Sequence, residues 1–146
     1  MMPAVRRWSL ALAALCALGC SSAQASSDAG VVFPAAALTT VTTDSGALRL
    51  EIRTAPDQPP QHGLIAVDLV IADAKTGATV DGLTVHPVPW MPAHGHGTSI
   101  TPTVTPHGLG HYEITSVDFY MAGSWQLRTD ISGTITDHVD VSFDVR

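Results

Sequence analysis

From Ala47 onward the chain takes up a period of two. Leu48, Leu50 and Ile52 alternate with Arg49, Glu51 and Arg53, the pattern of a strand with one dry and one wet face. After a turn region from Pro56 to Pro60, the stretch Leu64 to Ala72 is apolar except at Asp68, which predicts a central strand covered on both faces. Lys75-Thr76-Gly77 predicts a turn. Leu83 and Val85 belong to a third strand, expected to end at Pro87 and Pro89 because proline cannot donate to a sheet ladder. Thr101 to Thr105 predicts a short edge strand and Pro106 to Gly110 a turn. Tyr112 and Ile114 then share one parity while Val117, Phe119 and Met121 share the other, so a bulge or bend is expected near Thr115-Ser116. Beyond the Ala122-Gly123 turn, Trp125, Leu127, Thr129 and Ile131 alternate with Gln126, Arg128 and Asp130. Val139, Val141, Phe143 and Val145 do the same with Asp140, Ser142 and Asp144.

About seven short strands with frequent turn signals, and no 3.6-residue period in this part of the chain, predict an all-β fold: an immunoglobulin-like antiparallel β-sandwich. The preceding residues have a different character. Arg6 and Arg7 precede an apolar stretch from Trp8 to Leu18 that is too short to span a bilayer, which predicts an export signal over residues 1–19. Ala17-Leu18-Gly19-Cys20 resembles a bacterial lipobox, with Ala17 where leucine is usual. Lipidation of Cys20 would add more than one acyl chain, enough for stable membrane anchoring. Residues 20–45, rich in Ser, Ala, Thr and Gly, are expected to be a flexible linker, and 46–146 the folded domain. The expected location is therefore the cell envelope, lipid-anchored on the periplasmic face of the outer or inner membrane.

The two cysteines of the 146-residue chain are Cys16 and Cys20. One falls in the signal and the other would carry lipid, so the domain has no thiol and no disulfide, and any metal site must be built from His, Met and carboxylates. Charge narrows the partners further. With 13 acidic against 7 basic residues, and Arg49, Arg53, Lys75, Arg128 and Arg146 scattered, there is no basic stripe for nucleic acid. Neither glycine-rich nucleotide-binding motif occurs.

The candidate chemistry lies in Trp90-Met91-Pro92-Ala93-His94-Gly95-His96-Gly97. Two imidazoles at i and i+2 between glycines can point at one ion, and Met91 adds a thioether. Imidazole with thioether suits copper and discriminates against the hard ions Ca²⁺ and Mg²⁺. The same residues also read as a solvated Gly-His turn. Met121 has the parity of Val117 and Phe119, which fits a core filler as well as a ligand. His62, His86 and His138 have no partner pattern and read as surface residues; Trp90 and Trp125 read as core or rim. His107 and His111 fit either role.

Three segments together carry a resemblance: Trp90 to Gly97, Gly110-His111-Tyr112, and Phe119-Tyr120-Met121-Ala122-Gly123-Ser124-Trp125-Gln126-Leu127. From Leu48 to Arg146 the chain resembles the YtkA-like family, related to FixH, whose pattern runs M-P-x-H-x-H-G, G-x-Y and F-x-M-x-G-x-W. The resemblance implies a small exported or membrane-attached β-sandwich associated with copper, with candidate ligands at Met91, His94, His96 and Met121. FixH proteins carry a transmembrane helix that this sequence does not match, which sets the chain apart from an oxidase-assembly role. Two functional readings follow. One is a lipid-anchored domain that binds copper and exchanges it with a copper-receiving or copper-donating protein. The other is a structural or protein-interaction sandwich in which the Gly-His loop is plain surface. An enzyme is not expected, because no Ser-His-Asp, Cys-His or paired-carboxylate arrangement surrounds the loop, and a blue-copper site normally needs a thiolate.

Overall fold

Burial follows the parity of the sequence, and that parity decides which face each strand presents. The computed structural model describes residues 30–146, so the expected signal peptide and Cys20 lie outside the described residues. Nine strands form in chain order: β1 (Thr39–Thr42), β2 (Leu48–Ala55), β3 (Gly63–Asp73), β4 (Thr84–Met91), β5 (His96–Gly97), β6 (Thr103–Gly108), β7 (His111–Phe119), β8 (Gly123–Ser132) and β9 (Asp137–Val145). They make two antiparallel sheets, one ordered β1-β2-β3-β7-β6 and the other β5-β4-β8-β9. Setting aside β1 and the two-residue β5, the orders β2-β3-β7-β6 and β4-β8-β9 match the ABED and CFG sheets of an immunoglobulin sandwich.

The core lies between the sheets. Leu48, Leu50 and Ile52 from β2, Val67, Leu69 and Ile71 from β3, and Tyr112, Ile114, Val117 and Phe119 from β7 meet Trp125, Leu127 and Ile131 from β8 and Val141 and Phe143 from β9. No described residue is a cysteine, so this packing takes the place of the disulfide of antibody domains. Tyr112 is wholly buried and satisfies its hydroxyl on the β3–β4 connection, donating to the Val80 carbonyl and accepting from the Leu83 N–H, each at 3.1 Å. The change of parity in β7 is a bulge: Val67 opposes Ile114 and Ile65 opposes Val117, so Thr115 and Ser116 face the single residue Ala66, with Ser116 at φ +59°.

The third strand does not end at its prolines. β4 pairs with β8 without interruption from Thr84 to Trp90. This is possible because β4 has a second neighbour only at Trp90 and Met91, where β5 pairs. A residue in a strand directs its N–H and C=O the same way. The Pro89 carbonyl points toward β5, lying 2.7 Å from where a Cβ on Gly97 would sit, so its ring nitrogen faces that edge too. Pro87 has the same parity. Both missing donors therefore fall on the open edge, where they also blunt pairing with another chain, and Gly97 is the residue small enough to approach them.

The linker boundary also moves. Within residues 20–45, Thr39–Thr42 form β1 on β2, and the preceding segment is tied down by hydrogen bonds from Arg53 Nε to the Ala35 carbonyl (3.3 Å) and Gln58 Nε2 to the Ala36 carbonyl (2.9 Å). This segment crosses the outer face of the first sheet beside Ala55, Ala66 and Asp68, all buried. It supplies the second cover that the apolar run of β3 requires. Low charge and small side chains gave these residues a linker-like composition, but their backbone groups find partners on the sheet.

At one end the two sheets are clasped by Asp137, which accepts from Ser45 N–H (3.1 Å) and Ser45 Oγ (2.6 Å). Its desolvation works to raise the carboxyl pKa, but hydrogen bonds from Ser45, Thr43 and the His138 N–H outweigh this and hold it at about 2. His138, expected to be a plain surface histidine, sits between two carboxylates, with Nδ1 2.8 Å from Asp130 and Nε2 3.0 Å from Asp140. The Asp130 hydrogen bond is the main cause of its raised pKa, with Asp140 adding to it against a smaller desolvation effect. A histidine whose pKa is higher folded than unfolded stabilises the fold fully below the unfolded value of about 6.5 and loses that contribution as pH rises through the folded value. The stability gap between the parent and His138→Ala should therefore shrink from pH 5.5 to pH 9. All three side chains are substantially exposed, so the change should stay under about 1 kcal/mol, as read by urea unfolding of both proteins at the two pH values.

Candidate metal site

The residues singled out in the sequence gather at one end of the sandwich. β4 and β5 form a tight hairpin closed by two hydrogen bonds to the Met91 carbonyl, from His94 N–H (3.1 Å) and Gly95 N–H (3.0 Å). Met91 and His96 are directly opposed across this pair, so their side chains share a face. That face is the inner one: Met91 is 2% exposed and belongs to the core, while His96 is half-buried and His94 exposed. The two imidazoles stand edge-to-face with centroids 5.5 Å apart.

The connection from β7 to β8 reaches the same end. Tyr120 stacks on His96 with centroids 5.9 Å apart, and its hydroxyl oxygen lies 2.9 Å from Nδ1 and 3.2 Å from Nε2 of that ring. Met121 follows in a bend, partly buried against the core, with its carbonyl accepting from Trp125 Nε1 at 2.9 Å. Gly123 then opens β8 at φ +137°, where a Cβ would come within 2.6 Å of Met91 Cε. Met91, His94 and His96 are thus brought together by one hairpin, and the β7–β8 connection meets it through the Tyr120–His96 contact.

His107 and His111 are not part of this group. Nine residues of extended chain at about 3.3 Å each place His111 roughly 25–30 Å from Tyr120. There His107 Nε2 lies 3.0 Å from Glu113 and His111 Nδ1 3.2 Å from Asp68. With Arg53, whose Nη1 is 3.5 Å from Asp68, they line a groove of about 570 Å³ beneath the segment at Phe33. Trp125 is core rather than rim, and Trp90 is half-buried under the Arg128 guanidinium, 4.7 Å from the ring centroid.

A nitrogen ligand binds a transition metal at about 2.0 Å, so two imidazoles on one ion have centroids roughly 4–6.5 Å apart. The 5.5 Å pair fits this range. Among the described residues no three His, Cys, Asp or Glu side chains come together as a metal cage, and the soft donor that the hairpin itself could add to its imidazoles is the thioether of Met91. Such a set is soft and suits copper over hard cations.

Tyr120 is the residue of this end that sequence reasoning passed over. Its signal was a polar-tipped aromatic directly after Phe119, where β7 and its parity run out. Nothing local indicated that its hydroxyl would meet His96, which is 24 residues away in the chain.

The model of the YtkA-like family matches residues 44–130. Solved structures with a similar shape include FetP of uropathogenic Escherichia coli strain F11 in its "as isolated" form. It is 15% identical at a TM-score of 0.49, over 75% of this chain and 92% of that one. A copper-bound variant of the same FetP is 12% identical at a TM-score of 0.46, over 73% and 91%. No curated protein matches the chain.

The packing at Gly123 yields a direct test. Gly123→Ala forces an L-residue into a backbone region reserved for glycine and pushes against Met91 Cε, and it should destabilise the fold by about 1–3 kcal/mol, measured by chemical unfolding.

Proposed function

The chain belongs to the YtkA-like family, and we propose that it is a cell-envelope domain that binds copper at the Met/His hairpin and exchanges it with a partner protein. The observation that carries this reading is the pair of imidazoles 5.5 Å apart at the hairpin tip, above a methionine that shares a face with one of them. His94 is open to solvent and to a partner, and the thioether residue Met91 is buried at the base. A cargo ion needs donors that hold it without enclosing it, and a two-histidine tip with sulfur behind it meets that need. Imidazole accepts either copper state, while thioether favours Cu(I). A lipid anchor at Cys20 would keep the domain at the membrane surface, where copper passes between envelope proteins.

The test is metal binding by the purified protein under oxidising and reducing conditions, with copper, zinc and calcium compared. The double variant His94→Ala, His96→Ala should abolish Cu(II) binding and change stability by less than about 1 kcal/mol, since both residues are surface or half-buried. Copper binding equal to that of the parent would overturn the reading and leave the hairpin as the surface of an interaction module.

Met121→Leu should weaken Cu(I) about tenfold and leave Cu(II) nearly unchanged. The fold should lose less than about 1.5 kcal/mol, because leucine and methionine are close in volume. Ligating imidazoles must be deprotonated whereas thioethers do not titrate, so acidification should weaken Cu(II) binding more than Cu(I) binding. An unaltered Cu(I) affinity in Met121→Leu would assign Met121 to the core and confine the site to the hairpin.

A further inference from the structure

The outer face of the first sheet changes character along its length. Toward His111 it carries Glu51, Arg53, Asp68 and Glu113. Toward the Phe119 end it carries Ala55, Leu64 and Ala66 instead, and the segment before β1 lays Val31 and Val32 beside them. These five residues, with Pro56, line an open groove of about 490 Å³, and every one of them is apolar. Much of this surface lies in water: Val32 is 87%, Leu64 61% and Val31 40% exposed. Apolar side chains exposed singly need no explanation, but a contiguous group of them marks a surface that meets a partner or a lipid.

We propose that this groove is a lipid-docking face that seats the domain on the bilayer holding its anchor. This rests on the reading of Cys20 as the lipidated residue. Cys20 stands ten residues before Gly30, where the described chain begins, and ten residues reach at most about 35 Å in any conformation. The groove therefore opens beside the point from which the chain runs to its anchor. Residues 21–29 are Ser, Ala, Gln and Asp only, so that stretch has no large apolar side chain with which to fill the groove. A bilayer supplies such material. An anchor that keeps the domain within about 35 Å of it also raises the effective concentration, so that a few apolar side chains suffice for docking. Charge points to the apolar boundary rather than to anionic headgroups, because Asp118 lies opposite Leu64 and none of the lining residues is basic. Docked by this face, the sandwich lies on its first sheet. The β4–β5 hairpin belongs to the second sheet and is thereby turned away from lipid, with His94 open to a partner protein.

The test places the full lipidated protein in vesicles of phosphatidylcholine and phosphatidylethanolamine, with a fluorophore on Val32→Cys or, as a control on the exposed face of the second sheet, on Ser132→Cys. Quenching by lipids spin-labelled in the acyl region should be about fivefold stronger at position 32 than at position 132. It should not change at high salt, because apolar contact is not screened. Leu64→Asp should lower the quenching at position 32 about threefold and leave the melting temperature unchanged, since Leu64 is mostly exposed. Equal quenching at the two positions would overturn the proposal. So would quenching at position 32 that survives Leu64→Asp, because nearness to the anchor alone would then explain it. A dimer in sedimentation that Leu64→Asp dissociates would overturn it in favour of a second copy of the chain. If mass spectrometry found Cys20 without acyl chains, the anchor itself would fail. Cosedimentation of the chain with the same vesicles, lost in Leu64→Asp, would still decide whether this face meets lipid.

Discussion

The indole of Trp125 is the piece on which the geometry of this end depends. A fully buried tryptophan must satisfy its N–H or lose the free energy of an orphaned donor, and here the partner is the carbonyl of Met121, four residues earlier at 2.9 Å. That bond closes the bend between β7 and β8. The ring itself packs on Phe119 at 5.2 Å, and Phe119 meets Phe143 at 5.5 Å, so the bend is anchored in the core. With Phe119 and Met121 both held, Tyr120 between them has little choice of direction and is delivered to His96. A demand internal to the core, one N–H needing an acceptor, thereby places a polar group beside a histidine from another strand.

The hairpin meets it from the opposite side under a different constraint. Pro87 and Pro89 leave two successive positions on the outer edge of β4 without donors, which disfavours a long strand there, and the chain turns back at Met91 for a partner of only two residues. Gly97 allows the close approach to the Pro89 carbonyl that such a short return needs. Met91 then faces inward beneath Gly123, which makes the base of the hairpin part of the core while its tip remains in water. The gradient from buried sulfur to exposed imidazole is a consequence of strand parity, because Met91 and His96 are opposed residues of one pair.

Much of the fold was legible because a sandwich with one wet face per sheet writes a period of two into the sequence. Leu48 to Arg53, Trp125 to Ile131 and Val139 to Val145 are plain in this respect, and even the bulge at Thr115-Ser116 announced itself as a change of parity. What misled were signals whose meaning depends on neighbours in space. Prolines end a central strand but not an edge, and nothing near Pro87 says which β4 is. The residues around Ala35 and Thr39 look like a tether until the outer face of β3 is seen to need a cover. His138 gains its partners from registers of β8 and β9 that local sequence does not set. At the hairpin end, the glycines and histidines stood out as a motif, and a family resemblance drew Met121 into the same set. Tyr120 did not stand out, because a hydrogen bond over 24 residues leaves no periodic trace.

The separation of the two histidine groups follows from the same architecture. β7 begins at His111 and ends at Phe119, and a strand of nine residues carries its two ends to opposite poles of the sandwich. His111 and His107 are engaged with Asp68 and Glu113, cross-strand neighbours on the outer face of the first sheet. There Arg53, beside both Glu51 and Asp68, offsets the acidic charge. Among the described residues, His94 and His96 have no carboxylate partner in their hydrogen bonds and ion pairs. The hairpin surrounds its histidines with glycine, the Tyr120 hydroxyl and the Gly97 carbonyl oxygen instead.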